Sequence, residues 1–308
     1  MPAVYHFPWE INLIVWIQDL MRSYPFLVSL FSTITQLGEP FFAAFFVTFL
    51  YFGSDKKQGM YVATSVIGAQ IVNSMVKNIF LRVRPYLAEE QVECFLAVDN
   101  QYDIKDLTKQ GYSFPSGHCT NLSSLFASMY LWTKEKKGLI LGYILVILVA
   151  ISRFALGVHY PTDVFTGIIL GTLFALFHHY LYLRLPKKKL YLVIVALCAL
   201  GMIHCDSNDY YSTFGLLVGF MLGDFYEEKY VNFNSTNNQL RTTFRMLGGT
   251  IILLGVSSLL KLPFSEEVLE SLTLFAFLYR TFRYALAAFI TVGIFPKLFR
   301  YNIFKFKD

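Results

Sequence analysis

Long apolar runs alternate with short polar clusters along nearly the whole chain, a pattern that predicts helices crossing a membrane. From residue 9 to 24, Trp9, Leu13, Trp16, Ile17 and Leu20 recur at helical spacing, with Glu10, Asn12, Gln18, Asp19 and Arg22 on a polar side. This is the pattern of an amphipathic helix lying in the membrane interface. Residues 25–37 are moderately apolar but carry Ser29, Ser32, Thr33, Thr35 and Gln36, which leaves them between a short span and a surface helix. Clearer spans are predicted at 41–52, 60–80, 120–132, 139–156, 164–183, 190–203, 214–222, 250–262 and 272–294. The expected fold is all-α, a polytopic transmembrane helix bundle. It divides into an N-terminal interfacial region (1–38), a membrane core (39–185) and additional C-terminal transmembrane helices (186–308).

Composition supports the membrane class. Of 308 residues, 55% are hydrophobic and 15% charged, and mean hydropathy is +0.49, against about 25% charged in an average soluble domain. A soluble fold has too little polar surface here to cover its outside, whereas a lipid-facing one needs no such cover. Disorder, collagen-like repeats and a disulfide-rich secreted module are excluded by the same numbers. The net charge of +5 is the mild excess expected of basic cytoplasmic loops, and with no basic stripe on any helix it does not point to nucleic acid. Cys94, Cys119, Cys198 and Cys205 form no CxxC pair and read as structural. The first residues lack a basic region and Glu10 interrupts their apolar run, so a cleavable signal is not expected.

Lys56 and Lys57, then Lys134, Lys136 and Lys137, then Lys187 to Lys189 fall in loops that belong on one side, assigned as cytoplasmic. The loop 86–113 lies opposite and is acidic, with Glu89, Glu90, Glu93, Asp99, Asp103 and Asp106 against Lys105 and Lys109.

Three segments at the extracytoplasmic ends of these spans carry candidate chemistry. In the first, Lys77 and Arg84 are seven apart and followed by Pro85. On one helix they share a face about 10 Å apart along the axis, until Pro85 stops it. They are either interfacial cations or a pair of arms converging on one anion. The second, Pro115-Ser116-Gly117-His118, precedes an apolar helix: Ser116 is a candidate N-cap, Gly117 admits close backbone approach, and the first amides of the helix face an anion. Alone it is also an ordinary helix start. In the third, Ser152 and Arg153 lead to His159 and Asp163, four apart, where a carboxylate reaches the imidazole to fix its tautomer. Three cations, two histidines and a carboxylate at one membrane depth are hard to explain structurally.

The pattern K-x6-R-P, P-S-G-H and S-R-x5-H-x3-D resembles the three-part signature of the type 2 phosphatidic acid phosphatase and vanadium haloperoxidase superfamily. The order agrees, with 29 residues between Pro85 and Pro115 and 33 between His118 and Ser152. The resemblance covers roughly residues 41–183. It implies that His159 attacks phosphorus to form a phosphohistidine, that Asp163 orients it, and that His118 protonates the leaving oxygen and then activates water. It also implies that Lys77, Arg84, Arg153, Ser116 and the Gly117 amide hold the non-bridging oxygens. Three fixed cations then fill the role of Mg²⁺, so no metal and no other cofactor is expected, and no tight acidic ligand cluster stands in the sequence.

The implied function is an integral membrane phosphatase acting on a lipid phosphate or diphosphate of the polyprenyl diphosphate, phosphatidate or sphingosine-1-phosphate type. The site is expected at the extracytoplasmic face of a bacterial plasma membrane, or in the lumen of an endoplasmic reticulum. Alternatives are a glucose-6-phosphatase-like enzyme on a soluble phosphoester and a non-catalytic transporter or lipid-binding protein. The partners expected are the lipid bilayer and the membrane lipid phosphate substrate. Whether the C-terminal helices widen the pocket, admit lipid or make a homodimer is left open by the sequence. Arg82 is expected to meet headgroups or loop acids, and His178, His179 and His204 to pack at the interface. Asn234 to Thr236 matches a glycosylation acceptor by chance, on the cytoplasmic side.

Overall fold

The computed structural model describes residues 4–96, 111–236 and 238–300. Of the acidic loop, Asp99, Asp103, Asp106, Lys105 and Lys109 lie outside the described residues. The chain is helical, and each predicted span falls on helix: α1 (Pro8–Ser23), α2 (Phe26–Gln36), α3 (Pro40–Phe49), α4 (Lys56–Phe80), the single turn α5 (Pro85–Ala88), α6 (Gly117–Thr133), α7 (Lys136–Ala155), α8 (Pro161–Arg184), α9 (Lys187–Ala199), α10 (Asn208–Tyr226), α11 (Gln239–Leu259), the short α12 (Glu266–Glu270) and α13 (Leu274–Phe289). Among the described residues five helices are long and apolar enough to cross a membrane, or six if α2 and α3, bent by 43° at their break, form one span. This is fewer than the nine spans predicted. The reason is length and polarity: α6 has 17 residues with Asn121, Ser123, Ser124 and Ser128 among its buried positions, and α9 has 13. α6 is a helix enclosed by other helices more than by lipid.

The chain clusters into two compact units, one of Met1–Ala43 with Val72–His179 and the other of Ala44–Ile71 with Tyr180–Asp308. In the first unit α1 is amphipathic, but its sides are not as the sequence pattern assigns them. Glu10 and Gln18 are buried with Ile11, Ile14 and Met21, while Trp9, Trp16 and Leu20 are exposed. Both polar side chains have partners that make burial tolerable. Gln18 Nε2 donates to the carbonyls of Glu93 (2.8 Å) and Ala155 (3.2 Å), and its Oε1 accepts from the Glu93 amide (3.0 Å). The chain leaves α7 through Gly157, whose φ of +77° suits glycine, and a Cβ there would lie 2.2 Å from the Glu93 carbonyl oxygen. Met21, Ala155, Leu156 and Val158 form one core cluster beneath this crossing.

α6 and α8 meet through glycine. A Cβ at Gly167 would lie 2.6 Å from the Ser116 carbonyl oxygen, and one at Gly171 2.2 Å from Ser123 Oγ. Small residues let the backbones of membrane helices approach in this way. His178, expected at the interface, is instead fully buried on α8, and its neighbour His179 is half-buried. In the second unit the same device recurs on α10, where a Cβ at Gly215 or Gly219 would meet the Thr281 or Ala285 carbonyl oxygen of α13 at 2.3 and 2.1 Å. Lys56 Nζ donates to the buried Glu227 carboxylate at 2.9 Å, and Tyr51 hydroxyl to the Val292 carbonyl at 3.1 Å.

Candidate active site

All eight predicted site residues fall in the first unit. Lys77 and Arg84 do not share a helix face. α4 ends at Phe80, Leu81 takes a left-handed φ of +50°, and Arg84 is the extended residue before α5, where Pro85 opens the turn rather than ending α4. Convergence comes from the loop. Lys77 Nζ donates to the Tyr112 carbonyl (2.7 Å), and Arg84 donates from Nε to the Gly111 carbonyl (3.0 Å) and from Nη1 to the Val158 carbonyl (3.2 Å). The last bond joins the first segment to the third.

Ser116 stands at the N-cap position of α6 in extended backbone, yet its side chain makes no capping bond, and its buried Oγ has no hydrogen-bond partner. Its amide donates to the Asp163 carbonyl at 3.0 Å, which joins the second segment to the third. Asn73 on α4 fixes the approach, donating to Thr120 Oγ1 (2.9 Å) and to the Pro115 carbonyl (3.3 Å). The α6 amides from Gly117 onward are the donors a helix leaves unpaired at its start.

His159 and Asp163 are buried together, with Nδ1 3.4 Å from Oδ2. That contact is an ion-pair distance rather than a formed hydrogen bond, since His159 Nδ1 has no hydrogen-bond partner. The carboxylate is otherwise fully engaged. Oδ2 accepts from the Tyr160 amide at 2.8 Å, and Oδ1 accepts from Arg82 Nη1 at 2.6 Å. Arg82 therefore meets neither headgroups nor loop acids. It is buried, donates from Nη2 to Glu10 (2.8 Å), from Nη1 also to Thr162 Oγ1 (2.8 Å) and from Nε to the Tyr5 carbonyl (2.9 Å), and lies over the Tyr160 ring at 3.8 Å. Being off the Lys77–Arg84 face of an assumed helix hid it; α4 stops short, and the loop turns Arg82 inward. Glu10 Oε1 accepts in turn from the Thr162 amide (3.1 Å) and hydroxyl (2.7 Å). Burial alone would raise the Glu10 pKa, but hydrogen bonds from Phe7 and Thr162 and the Arg82 charge outweigh it and hold the carboxyl below its ordinary value.

Arg153 is buried at the end of α7, with Nη1 2.8 Å from Thr35 Oγ1 and 3.2 Å from His118 Nε2, and its Nε has no hydrogen-bond partner. Glu39 Oε1 is 3.1 Å from the same His118 nitrogen. Burial pushes the His159 pKa well below 6.5, and the charges of Arg84, Arg153, Lys77 and His118 add to the effect in that order. Burial, then Arg153, brings His118 down to about 4 against the opposing pull of Glu39. The two imidazoles and three cations thus share one electrostatic neighbourhood. Ser116 Oγ and Arg153 Nε are buried and unsatisfied within it, the donor-rich setting an oxyanion would complete. Among the described residues no group of three or more His, Cys, Asp or Glu is placed to hold a metal ion.

Sequence reasoning missed Glu10, Thr35, Glu39 and Asn73. The signal for Glu10 and Glu39 is a lone carboxylate in an apolar stretch, costly in a membrane unless paired; Thr35 and Asn73 carry none.

Comparison with known proteins shows to which family the sequence is similar. The PAP2 superfamily profile matches residues 58–187, and that of the PAP2 superfamily phosphatase, transmembrane extension, matches 211–304. The chain is 32% identical over 123 residues to an undecaprenyl-diphosphatase of Sulfolobus acidocaldarius, covering 40% of this chain and 54% of the relative. It is 29% identical over 158 residues to a lipid A 4'-phosphatase of Porphyromonas gingivalis, covering 47% and 61%. A bacitracin transport permease protein of Bacillus licheniformis is 27% identical over 170 residues, covering 54% and 78%. The chain thus spans a little over half the length of the first two relatives. No solved structure matches it. With its three segments in register and both profiles matched in order, this chain is a multi-pass membrane protein of the PAP2 superfamily, carrying the superfamily domain at 58–187 and the transmembrane extension at 211–304.

Proposed function

We propose that this chain is a membrane phosphatase that hydrolyses a lipid phosphate monoester or diphosphate through a phosphohistidine. The observation carrying the reading is the pair of buried, unsatisfied donors Ser116 Oγ and Arg153 Nε, set amid the charges of Lys77, Arg84 and Arg153 that surround His159. A phosphoryl group supplies the oxygens such donors lack, and its spreading charge in the transition state strengthens every contact.

With Nδ1 turned to Asp163, His159 presents Nε2 as nucleophile. Its depressed pKa keeps the lone pair free at neutral pH. The bound phosphate dianion beside His118 favours its protonated form, and as the P–N bond forms and the bond to the leaving oxygen breaks, His118 gives that oxygen its proton. Water then attacks phosphorus, His118 takes the water's proton, and the P–N bond breaks to release inorganic phosphate and neutral His159. Lys77, Arg84, Arg153, Ser116 and the Gly117 amide hold the non-bridging oxygens, and Asp163 stabilises the imidazolium character of His159. The steps need no metal, because the cations are side chains.

The substrate class follows from two supports: the site stands among apolar helices, and the undecaprenyl-diphosphatase and lipid A 4'-phosphatase relatives are named for lipid phosphates. Basic loops at Lys56, Lys134 and Lys187 support an extracytoplasmic site in a bacterial plasma membrane. The test is phosphate release by detergent-solubilised protein from undecaprenyl diphosphate, phosphatidate, sphingosine-1-phosphate and glucose-6-phosphate, with His159→Ala as control. Release from a lipid substrate that stops in His159→Ala is expected. Release that survives in the variant, or that occurs only from glucose-6-phosphate, contradicts the reading.

A further inference from the structure

His118 Nε2 lies between two groups of opposite charge, 3.1 Å from Glu39 Oε1 and 3.2 Å from Arg153 Nη1. A carboxylate only accepts hydrogen bonds and a guanidinium only donates. Nε2 therefore cannot use both at once. Carrying a proton, it donates to Glu39; stripped of the proton, it accepts from Arg153. The two hydrogen-bonding states match the two protonation states an acid–base histidine passes through in the cycle proposed above.

One short stretch supplies this arrangement. Thr35 Oγ1 accepts from Arg153 Nη1 at 2.8 Å and holds the guanidinium in place. Three residues on, Gly38 packs directly against the ring, since a Cβ there would lie 2.7 Å from His118 Cδ2 and 2.7 Å from Val149 Cγ1. Glu39 follows at once, its side chain 52% exposed. The stretch lies ahead of residue 58, where the superfamily match begins.

We propose that Glu39 is a positioning residue that holds the protonated form of His118 and so arms it as the acid for leaving-group departure. The proposal rests on the phosphohistidine reading of the same site. The charged and titratable groups facing His118 are Glu39 from the break before α3, Arg153 from α7, Arg84 from the stretch before α5, and His159 beyond. Arg153 and Arg84 oppose protonation and Glu39 favours it. Without that carboxylate the protonated Nε2 loses its acceptor and only opposing charges face the ring. When the proton leaves, the Nε2 lone pair of the neutral ring accepts from Arg153, which holds the ring in place until the attacking water displaces that bond and gives Nε2 its proton. Proton and bond counts close: one proton passes from His118 to the leaving oxygen, and one returns from water.

The test compares wild type, Glu39→Gln, Glu39→Asp and His159→Ala, as full chains in detergent, on dioleoyl phosphatidate in mixed micelles and on p-nitrophenyl phosphate. The alkyl leaving group of phosphatidate needs a proton, and p-nitrophenolate does not. Because Glu39 is half-exposed and the amide is isosteric, Glu39→Gln keeps the fold. Expected is a shift of the alkaline limb of kcat on phosphatidate toward acid by about one pH unit, the size of a lost charge-assisted hydrogen bond. The rate on p-nitrophenyl phosphate stays close to wild type, and Glu39→Asp restores the limb. An unmoved limb overturns the proposal, as does a loss equal on both substrates. A rate that rises at every pH with a falling KM also overturns it, because Glu39 would then be competing with phosphate for the site. These outcomes leave the phosphohistidine reading standing if His159→Ala is inactive. An active His159→Ala overturns that reading and this proposal with it.

Discussion

Arg82 joins the N-terminal helix to the residue that faces His159, and replacing it by methionine tests that joint. Methionine keeps much of the volume and removes every donor. Its loss strands two carboxylates, Asp163 and Glu10, both with no solvent exposure. It also removes the bonds to Thr162 Oγ1 and the Tyr5 carbonyl and the contact with the Tyr160 ring. Breaking a buried ion pair by removing one partner costs about 3–5 kcal/mol, mostly because the remaining charge is left in low dielectric. Here the guanidinium serves two such charges, so Arg82→Met is expected toward the upper part of that range. Glu10 retains its Thr162 and Phe7 bonds, so Glu10→Gln in the same background is expected to return only about 1–2 kcal/mol. Asp163, without its cation, takes up a proton in preference to sitting charged and unpaired. The expected result is a loss of more than about tenfold in kcat, or about 1.4 kcal/mol of barrier. Thermal unfolding in detergent and phosphate release on the same samples read both effects. Arg82→Met within about 1 kcal/mol of wild type and fully active would refute the view that this pair organises the site.

Other expectations follow from single contacts. Gly167→Ala forces a methyl to within 2.6 Å of the Ser116 carbonyl oxygen; the start of α6 must shift, with about 1–3 kcal/mol of overpacking in the unfolding midpoint and a fall in phosphate release, whereas unchanged melting and activity would show that the α6–α8 contact yields freely. The His159 pKa is depressed first by burial and then by Arg84, Arg153 and Lys77, so its neutral form is present above a pKa that lies below 6.5 and is lost as pH falls through it. The acid limb of kcat/KM is therefore expected below pH 6.5, and Lys77→Met, which removes one of the depressing charges, moves that limb upward; a limb that moves down or stays fixed contradicts the assignment. Arg153→Lys keeps a charge but loses the guanidinium whose Nη1 reaches both Thr35 and His118 while Nε stays unpaired, and a fall of about 10²–10³ in kcat is expected, comparable to removal of one transition-state donor.

The helical class and the proposed members of the candidate site were legible because both are written in local terms. Apolar runs mark spans, and a phosphate site needs cations and imidazoles that stand out against lipid-facing sequence. What the pattern did not reveal was tertiary. The Lys77–Arg84 spacing reads as a helix face only if α4 continues, and nothing local in Phe80-Leu81 announces the left-handed turn that ends it. The same turn sends Arg82 inward. Glu10 and Gln18 look like the wet side of an interfacial helix until the backbone of Glu93 and the guanidinium of Arg82 appear as their partners, and those come from 72 to 75 positions away. Ser116 suits an N-cap by residue type, but its hydroxyl is left for another acceptor or donor.

The proposed mechanism turns on a covalent bond between phosphorus and the imidazole at position 159. Rapid acid-free quenching of the detergent-solubilised protein during turnover of ³²P-labelled lipid phosphate, followed by peptide mapping, measures it directly. Acid-labile, base-stable label is expected on the peptide containing His159, absent from His159→Ala and accumulating in a His118 variant when the leaving group needs no proton. Label on another residue, or full turnover with no labelled protein at any time, would contradict it.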